Sequence, residues 1–253
     1  MLEKNISVVS LSQLKDNYSY LVVKNKKIII IDPAESTQII QYIKNNKLNL
    51  IAILLTHHHL DHTAGVSKIL DNFSTPVYSS DQDIAHTTNV VKNGDFIDLD
   101  FIEMEVINTP GHTLDHIVFY NETNHILFSG DTLFRLGCGR IFEGTYEQMF
   151  KTLKKINFLD NKTMVYCGHE YTSTNLDFLI SIFPSNKDLI SEQKKIKSQL
   201  AKTNKSIPFN LGKEKLINPF LSTKSEIYRI FKNENNFSDI EMFSYLRDLK
   251  NKF

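Results

Sequence analysis

Cysteine is scarce in this chain: two in 253 residues, Cys138 and Cys167. That excludes a disulfide framework and suits a reducing, cytosolic compartment. Net charge is missing too, because 29 Lys and Arg balance 29 Asp and Glu. No global field therefore favours nucleic acid or an anionic membrane as a partner. No apolar run reaches the roughly 18 residues of a membrane span. Residues 1–11 hold no basic stretch followed by an apolar block, so no signal peptide is expected. The expectation is a cytoplasmic monomer that binds neither nucleic acid nor membrane.

What is present begins with an ordinary core-forming composition, 41% hydrophobic and 23% charged. The length allows one large domain, or one mid-sized domain with a smaller partner. Residues 18–23 and 28–31 flank a Lys-rich turn and predict a hairpin. Ser36 is placed to cap a helix whose apolar face carries Ile39, Ile40 and Ile43. Residues 48–55 are an almost unbroken apolar run, short enough for a strand buried on both faces. A helix is expected over 64–72. Strands are expected over 76–80, 96–99, 104–108, 116–120, 125–129 and, last, 163–167, with an amphipathic helix at 146–156. From about Thr172 the pattern turns helical and Lys-rich, broken by Pro184, Pro208 and Pro219. Lys194, Lys195, Lys197, Lys202 and Lys205 read as a solvated helix face. Ser238 with Glu241 predicts a capping box for the final helix. The division expected is residues 1–170, strand-rich, and 171–253, helical.

Nine histidines stand out. Residues 56–62 read Thr-His-His-His-Leu-Asp-His, directly after the buried strand. Imidazole and carboxylate are the ligand set of zinc and of divalent iron or manganese. In an extended loop His57 and His59 can face one metal, while Asp61 and His62 face a second. Three further residues of ligand type follow strands beside a glycine: His112, Asp131 and His169. Glycine lets the backbone turn sharply there. His58 and His116 are candidates for orienting the ligands. His86 reads as a surface helix residue and His125 as a strand edge. Cys138 lies in a Gly-Cys-Gly loop with no evident base and reads as structural, and Cys167 as a buried small residue.

These strings resemble the metallo-β-lactamase superfamily and, more closely, the glyoxalase II (hydroxyacylglutathione hydrolase) family. The likeness runs from Asp16-Asn17-Tyr18 through Asp32-Pro33, Pro110-Gly111-His112-Thr113 and Gly130-Asp131-Thr132-Leu133-Phe134. It continues in Gly137-Cys138-Gly139-Arg140, Cys167-Gly168-His169-Glu170-Tyr171-Thr172 and Asn218-Pro219-Phe220. It ends in Arg247 and Lys250 beside Phe253. The resemblance implies an α+β fold, an αββα sandwich with a C-terminal helical domain that completes a substrate site. It implies two divalent ions, zinc with iron or manganese also compatible. His57, His59 and His112 would hold one, Asp61, His62 and His169 the other, and Asp131 would bridge them.

The activity implied is hydrolysis of S-lactoylglutathione to glutathione and D-lactate, the last step of methylglyoxal detoxification. Two ions can share a hydroxide at neutral pH, and Asp61 would help to position that nucleophile. A thiolate, with a thiol pKa of roughly 8.5, leaves without a strong acid. Arg247 and Lys250 are three apart and so share a helix face. By resemblance they contact the glutathione substrate together with Arg140, Phe142, Tyr171 and His169. Arg140 and Phe142 stand where certain members, including animal forms, have Lys and Tyr. Arg140 keeps the charge, and Phe142 lacks a hydroxyl. A persulfide dioxygenase with one iron would lack the full second ligand set. A lactonase or β-lactamase would lack the Arg247 and Lys250 pair. A non-catalytic relative would have lost ligands.

Overall fold

A computed structural model of the chain describes residues 6–223 and 225–253. Residues 1–5, part of the stretch in which no signal peptide is expected, lie outside the described residues. No helix among the described residues is long and apolar enough to cross a membrane. The chain divides into two compact units.

The first unit comprises the described residues up to Asn108, with Asp115–Asn121. It holds β1 (Ser7–Gln13), β2 (Asn17–Lys24), β3 (Lys27–Ile31), α1 (Thr37–Asn46), β4 (Asn49–Leu54), α2 (Leu60–Thr63) and α3 (Val66–Leu70). β5 (Val77–Ser79), β6 (Asn89–Val90), β7 (Phe96–Asp98), β8 (Glu103–Asn108) and β9 (Ile117–Asn121) complete it. A six-stranded sheet runs in the order β1 to β6. β2 and β3 form the expected hairpin. Its two turn residues, Asn25 and Lys26, both have positive φ, the backbone whose twist matches antiparallel strands. β4 lies between β3 and β5, parallel to both. Ala52, Ile53 and Leu54 are fully buried there, as the continuous apolar run requires. Ile39 and Ile43 of α1 join the same core, each contributing about 1.5–3 kcal/mol by burial. β7, β8 and β9 form an antiparallel meander, and Ile117 N donates to Thr56 O at 2.9 Å.

Three sequence expectations change here. Ser36 occupies the N-cap position of α1 but its side chain makes no capping hydrogen bond. The helix expected over 64–72 is the shorter α3 (Val66–Leu70), and a separate helix, α2, precedes it from Leu60. Asp61 and His62 therefore sit on a helix rather than in an extended loop. His86 is exposed in a turn at φ +60°, not on a helix.

The second unit comprises Thr109–Leu114 with Glu122–Phe253. It holds β10 (Ile126–Gly130), β11 (Leu133–Phe134), β12 (Gly137–Cys138), α4 (Tyr146–Phe158), β13 (Met164–Cys167), α5 (Thr172–Ile182) and α6 (Lys187–Thr203). β14 (Phe209–Asn210), α7 (Leu211–Ile217), α8 (Glu226–Asn235) and α9 (Asp239–Lys252) follow. β10 pairs parallel with β13, and β13 antiparallel with β14. β13 is therefore not the last strand. α4 and α9 both begin with capping boxes, Thr145 with Gln148 and Ser238 with Glu241. α9 lies against α4, where Phe150 and Phe243 meet at 5.6 Å between ring centroids. By compactness, then, residues 122–170 group with the helices that follow them.

Candidate metal centre

In the first unit β4 ends at Leu54, Thr56 follows two residues on, and the chain then turns into α2. Asp32, just past β3, is 3% exposed. Its carboxylate accepts from Thr56 N at 2.8 Å and from the Thr56 hydroxyl at 2.7 Å. The same carboxylate lies 3.0 Å from His62 Nδ1. The Thr56 hydroxyl has one proton, and Asp32 takes it. Its 3.0 Å contact with His57 Nδ1 must then be an N–H donated by the ring. Both His57 and His62 therefore carry their proton on Nδ1 and present the Nε2 lone pair, as a metal-ligating imidazole does. Asp61 Oδ2 lies 3.8 Å from His62 Nε2 and is held by Asn17 Nδ2 at 2.9 Å. The His57 ring lies 4.6 Å from that of His59 and 4.3 Å from that of His62. His116, buried, stacks on His57 at 4.9 Å. His58 faces away and pairs with Asp115 at 3.0 Å.

In the second unit Gly130 takes φ +47°, which turns the chain out of β10 and aims Asp131 sideways. Gly168 N donates to Gly130 O at 2.8 Å, setting His169 beside Asp131. His169 Nε2 lies 3.2 Å from Asp131 Oδ2, and His112 Nε2 lies 3.4 Å from the same oxygen. His112 Nδ1 donates to the Arg140 carbonyl at 2.8 Å, because a carbonyl can only accept. In the neutral ring its Nε2 lone pair faces a carboxylate, an arrangement that repels unless a cation or proton stands between them. Two ligands of a tetrahedral divalent ion, each about 2.0–2.1 Å from it, stand roughly 3.3–3.4 Å apart. His112 and His169 each keep about that spacing from Asp131, so each of these two donor pairs fits a divalent ion shared with Asp131.

Aromatic and cationic side chains of the second unit lie beside His112 and His169, and others follow on α5 and α9. Tyr171 stacks on His169 at 4.7 Å with an interplanar angle of 3°. Phe142, exposed, meets the His112 ring edge-on at 5.2 Å, and the Arg140 guanidinium lies 5.4 Å over Phe142. Lys250 Nζ donates to Thr174 O at 3.0 Å and lies 5.1 Å from the rings of Phe178 and Phe253. Burial, with the Arg247 charge nearby, lowers its pKa to about 8. Arg247 itself is only 5% exposed. Its Nη1 donates to Cys138 O at 2.9 Å, and its guanidinium lies 5.5 Å over Phe220. Burial raises the Cys138 thiol, against the pull of Arg247. Burial likewise raises Cys167, so neither thiol is poised as a nucleophile.

The sequence motifs contain Asp32, Thr56 and Asn17 but assign them no role; in the structure they orient His62, His57 and Asp61. Asp32 carries the signal used elsewhere, a carboxylate just past a strand. Asn17 and Thr56 carry no spacing signal, because their role is set by a tertiary hydrogen bond.

The chain matches the family model of the metallo-beta-lactamase superfamily over residues 14–169. It matches that of the hydroxyacylglutathione hydrolase C-terminus over residues 170–253. It is 38% identical to a hydroxyacylglutathione hydrolase of Aliivibrio fischeri strain MJ11, across 98% of this chain and 100% of that protein. It is 42% identical to one of Wigglesworthia glossinidia brevipalpis, across 98% of this chain and 99% of that protein. A solved structure, ETHE1 from Myxococcus xanthus, is similar in fold. It has a TM-score of 0.66 and 22% identity, over 94% of this chain and 95% of that one.

Proposed function

The chain belongs to the hydroxyacylglutathione hydrolase family of the metallo-beta-lactamase superfamily, and on that premise we propose that it hydrolyses S-(2-hydroxyacyl)glutathione thioesters, S-lactoylglutathione first. The products are glutathione and a 2-hydroxy acid, D-lactate from that substrate. The observation that carries the reading is the pinning of three imidazoles through Nδ1, to Thr56, Asp32 and the Arg140 carbonyl, which turns their Nε2 atoms toward ligand duty.

His57, His59 and His112 would hold one divalent ion, and Asp61, His62 and His169 a second, with Asp131 shared. When bound, such ions lower the pKa of water to near neutrality and polarise a carbonyl oxygen. Zinc, iron and manganese all suit this nitrogen and oxygen donor set. Asp32 holds the first unit's ligands in register, since one carboxylate meets both Thr56 and His62. Asn17 fixes the Asp61 carboxylate, which helps to orient the attacking oxygen. As the new C–O bond forms, the C–S bond breaks and its electron pair leaves on sulfur. A thiolate of ordinary pKa, about 8.5, needs no protein acid to leave. Glutathione carries two carboxylates, and Arg140, Lys250 and Tyr171 are the groups that would receive them and its peptide. Phe142 offers an apolar face beside His112. Arg247 adds positive field beneath Lys250 while it holds Cys138. Residues 170–253 would thus act as the substrate domain. Neither cysteine forms a disulfide and both are buried, which suits a cytoplasmic setting.

The test is a thioesterase assay on the purified chain, with S-lactoylglutathione set beside a thioester lacking glutathione. Metal analysis should find close to two ions per chain, and Lys250→Ala should raise KM about tenfold with kcat nearly unchanged. One tightly held iron with no thioesterase activity would sink the proposal. Equal turnover of both thioesters would sink the glutathione assignment.

A further inference from the structure

We propose that Glu214 is a positioning residue for the reaction, because it fixes the β11–β12 hairpin on whose two ends Asp131 and Arg140 are mounted. The roles of Asp131 and Arg140 rest on the function proposed above.

The hairpin has two residues per strand, pairing Leu133 with Cys138 and Phe134 with Gly137. A ribbon that short does not hold its own shape. Its turn passes through Leu136 at φ +60°, a backbone that a leucine does not adopt unaided. Side chains from the following helical segments supply the missing bonds. Glu214 Oε2 accepts from Leu136 N at 2.8 Å. Asn218 Nδ2 lies 3.1 Å from that same oxygen, 3.1 Å from Gly137 O and 3.4 Å from Phe134 O. Asn175 Nδ2 donates to Arg135 O at 3.0 Å, and Arg247 holds Cys138 O. Glu214 is the acceptor in this set: it receives the turn N–H and, through Asn218, links two of the hairpin carbonyls. It is 2% exposed and Asn218 is fully buried, so water cannot replace either.

The hairpin also transmits its position. Gly139 N donates to Thr132 O at 3.1 Å. A Cβ on Gly139 would lie 1.9 Å from Asp131 O. The chain after the hairpin is thus pressed on the Asp131 backbone, and the next residue, Arg140, holds His112 Nδ1. A hairpin that drifts carries Asp131, His112 and Arg140 with it. Misplacement of reacting groups by about 1 Å can cost on the order of a hundredfold in rate.

The experiment compares Glu214→Gln, Glu214→Asp and Glu214→Ala in the metal-loaded protein. Steady-state hydrolysis of S-lactoylglutathione and amide hydrogen exchange of peptides spanning 131–140 and 146–158 are read on each. Glutamine can offer one carbonyl to both Leu136 N and Asn218. It should stay within about threefold of the parent in kcat. Alanine should lower kcat by about ten- to a hundredfold while KM changes less than threefold, and exchange should rise in 131–140 but not in 146–158. If the alanine variant fails to fold, aspartate, which withdraws the carboxylate by one methylene, should show the same signature more weakly. A folded alanine or aspartate variant with parental kcat and parental exchange at 131–140 overturns the proposal. So does a glutamine variant as impaired as alanine. Parental protein without thioesterase activity would refute the functional reading, and the exchange data would still decide the role of Glu214.

Discussion

Glu214→Gln separates the charge of this buried group from its shape, and the two should part with pH. Burial is the main reason the Glu214 pKa rises from 4.5 to about 7. The Leu136 N–H, the Arg135 charge and Asn218 pull it back, and Glu192 adds a smaller upward push. The folded-state pKa is thus above the unfolded value. Between the two, the folded chain holds the proton more tightly. The group's stabilising contribution is therefore complete below about pH 4.5 and is lost as pH rises through about 7. A displacement of that size corresponds to at most about 3 kcal/mol. Glutamine mimics the protonated form at every pH. The variant should match the parent below about pH 4, exceed it by about 1 kcal/mol at pH 5, and gain further toward pH 8, up to about 3 kcal/mol. For a chain of this length that is a shift in Tm of roughly 6–10 °C. Paired urea or thermal melts at pH 5, 6, 7 and 8 measure it. The metal site has its own pH dependence, but it enters both proteins equally and cancels in the difference. A stability difference that stays flat across this range, or that grows toward acid, would refute the reasoning.

Two more outcomes follow from the same unit. Lys250, with its pKa lowered to about 8 by burial and by Arg247, should lose its charge above that pH. If it anchors a glutathione carboxylate, kcat/KM should fall there, and the fall should be absent in Lys250→Ala and pushed upward in Lys250→Arg, which stays charged. The same alkaline limb in Lys250→Ala would assign it elsewhere. Gly139→Ala sets a methyl 1.9 Å from Asp131 O, so the backbone must move. A cost on the order of 3 kcal/mol and a fall in bound metal per chain are expected, read by melts and by metal analysis; unchanged metal content would show that Asp131 does not depend on this contact.

Much of the frame was readable because local rules and tertiary packing agree. The apolar run before Thr56 became β4, buried on both faces. Ser238 and Glu241 closed the capping box that starts α9. The failures have causes of the opposite kind. β1 is an edge strand whose residues are mostly half-buried, so it carries no sharp alternation. β14 is two residues long and exists only because β13 offers an edge. The segment around Asp61 and His62 reads as loop because four residues are too few for a periodic signal. His112, Asp131 and His169 share nothing in the sequence beyond a strand end and a glycine, yet they meet within 3.4 Å. Strand ends gather at one edge of a sheet, and that regularity is what made them visible. The groups that orient the ligands were not, because Asn17 reaches Asp61 across 44 positions. Nor does helix spacing reveal that Arg247 turns inward while Lys250 stays half-exposed.

The buried charges of the second unit are best understood through the backbone they serve. Arg135, 8% exposed, meets Glu192 at 2.6 Å, Ser206 O at 2.8 Å and Gln199 at 3.0 Å. Glu214 lies close enough for the Arg135 charge to hold its pKa down. A buried ion pair adds little stability over well-packed apolar residues of the same volume. Replacing Glu214, Asn218 and Arg247 with leucine would therefore not, by the loss of charge alone, weaken the core. It would strand the N–H of Leu136 and the carbonyls of Phe134, Gly137 and Cys138, each at about 1–3 kcal/mol when buried without a partner. The polar residues are needed because a two-residue hairpin cannot satisfy itself. That hairpin is needed because Asp131 and Arg140 must be presented from opposite ends of one short turn. On this argument the helical C-terminal region bears on the β11–β12 hairpin through its inward side chains. Lys250 stays half-exposed, where the proposed function would set it against substrate, while Asn175, Glu214, Asn218 and Arg247 face inward and hold the chain between Asp131 and Arg140.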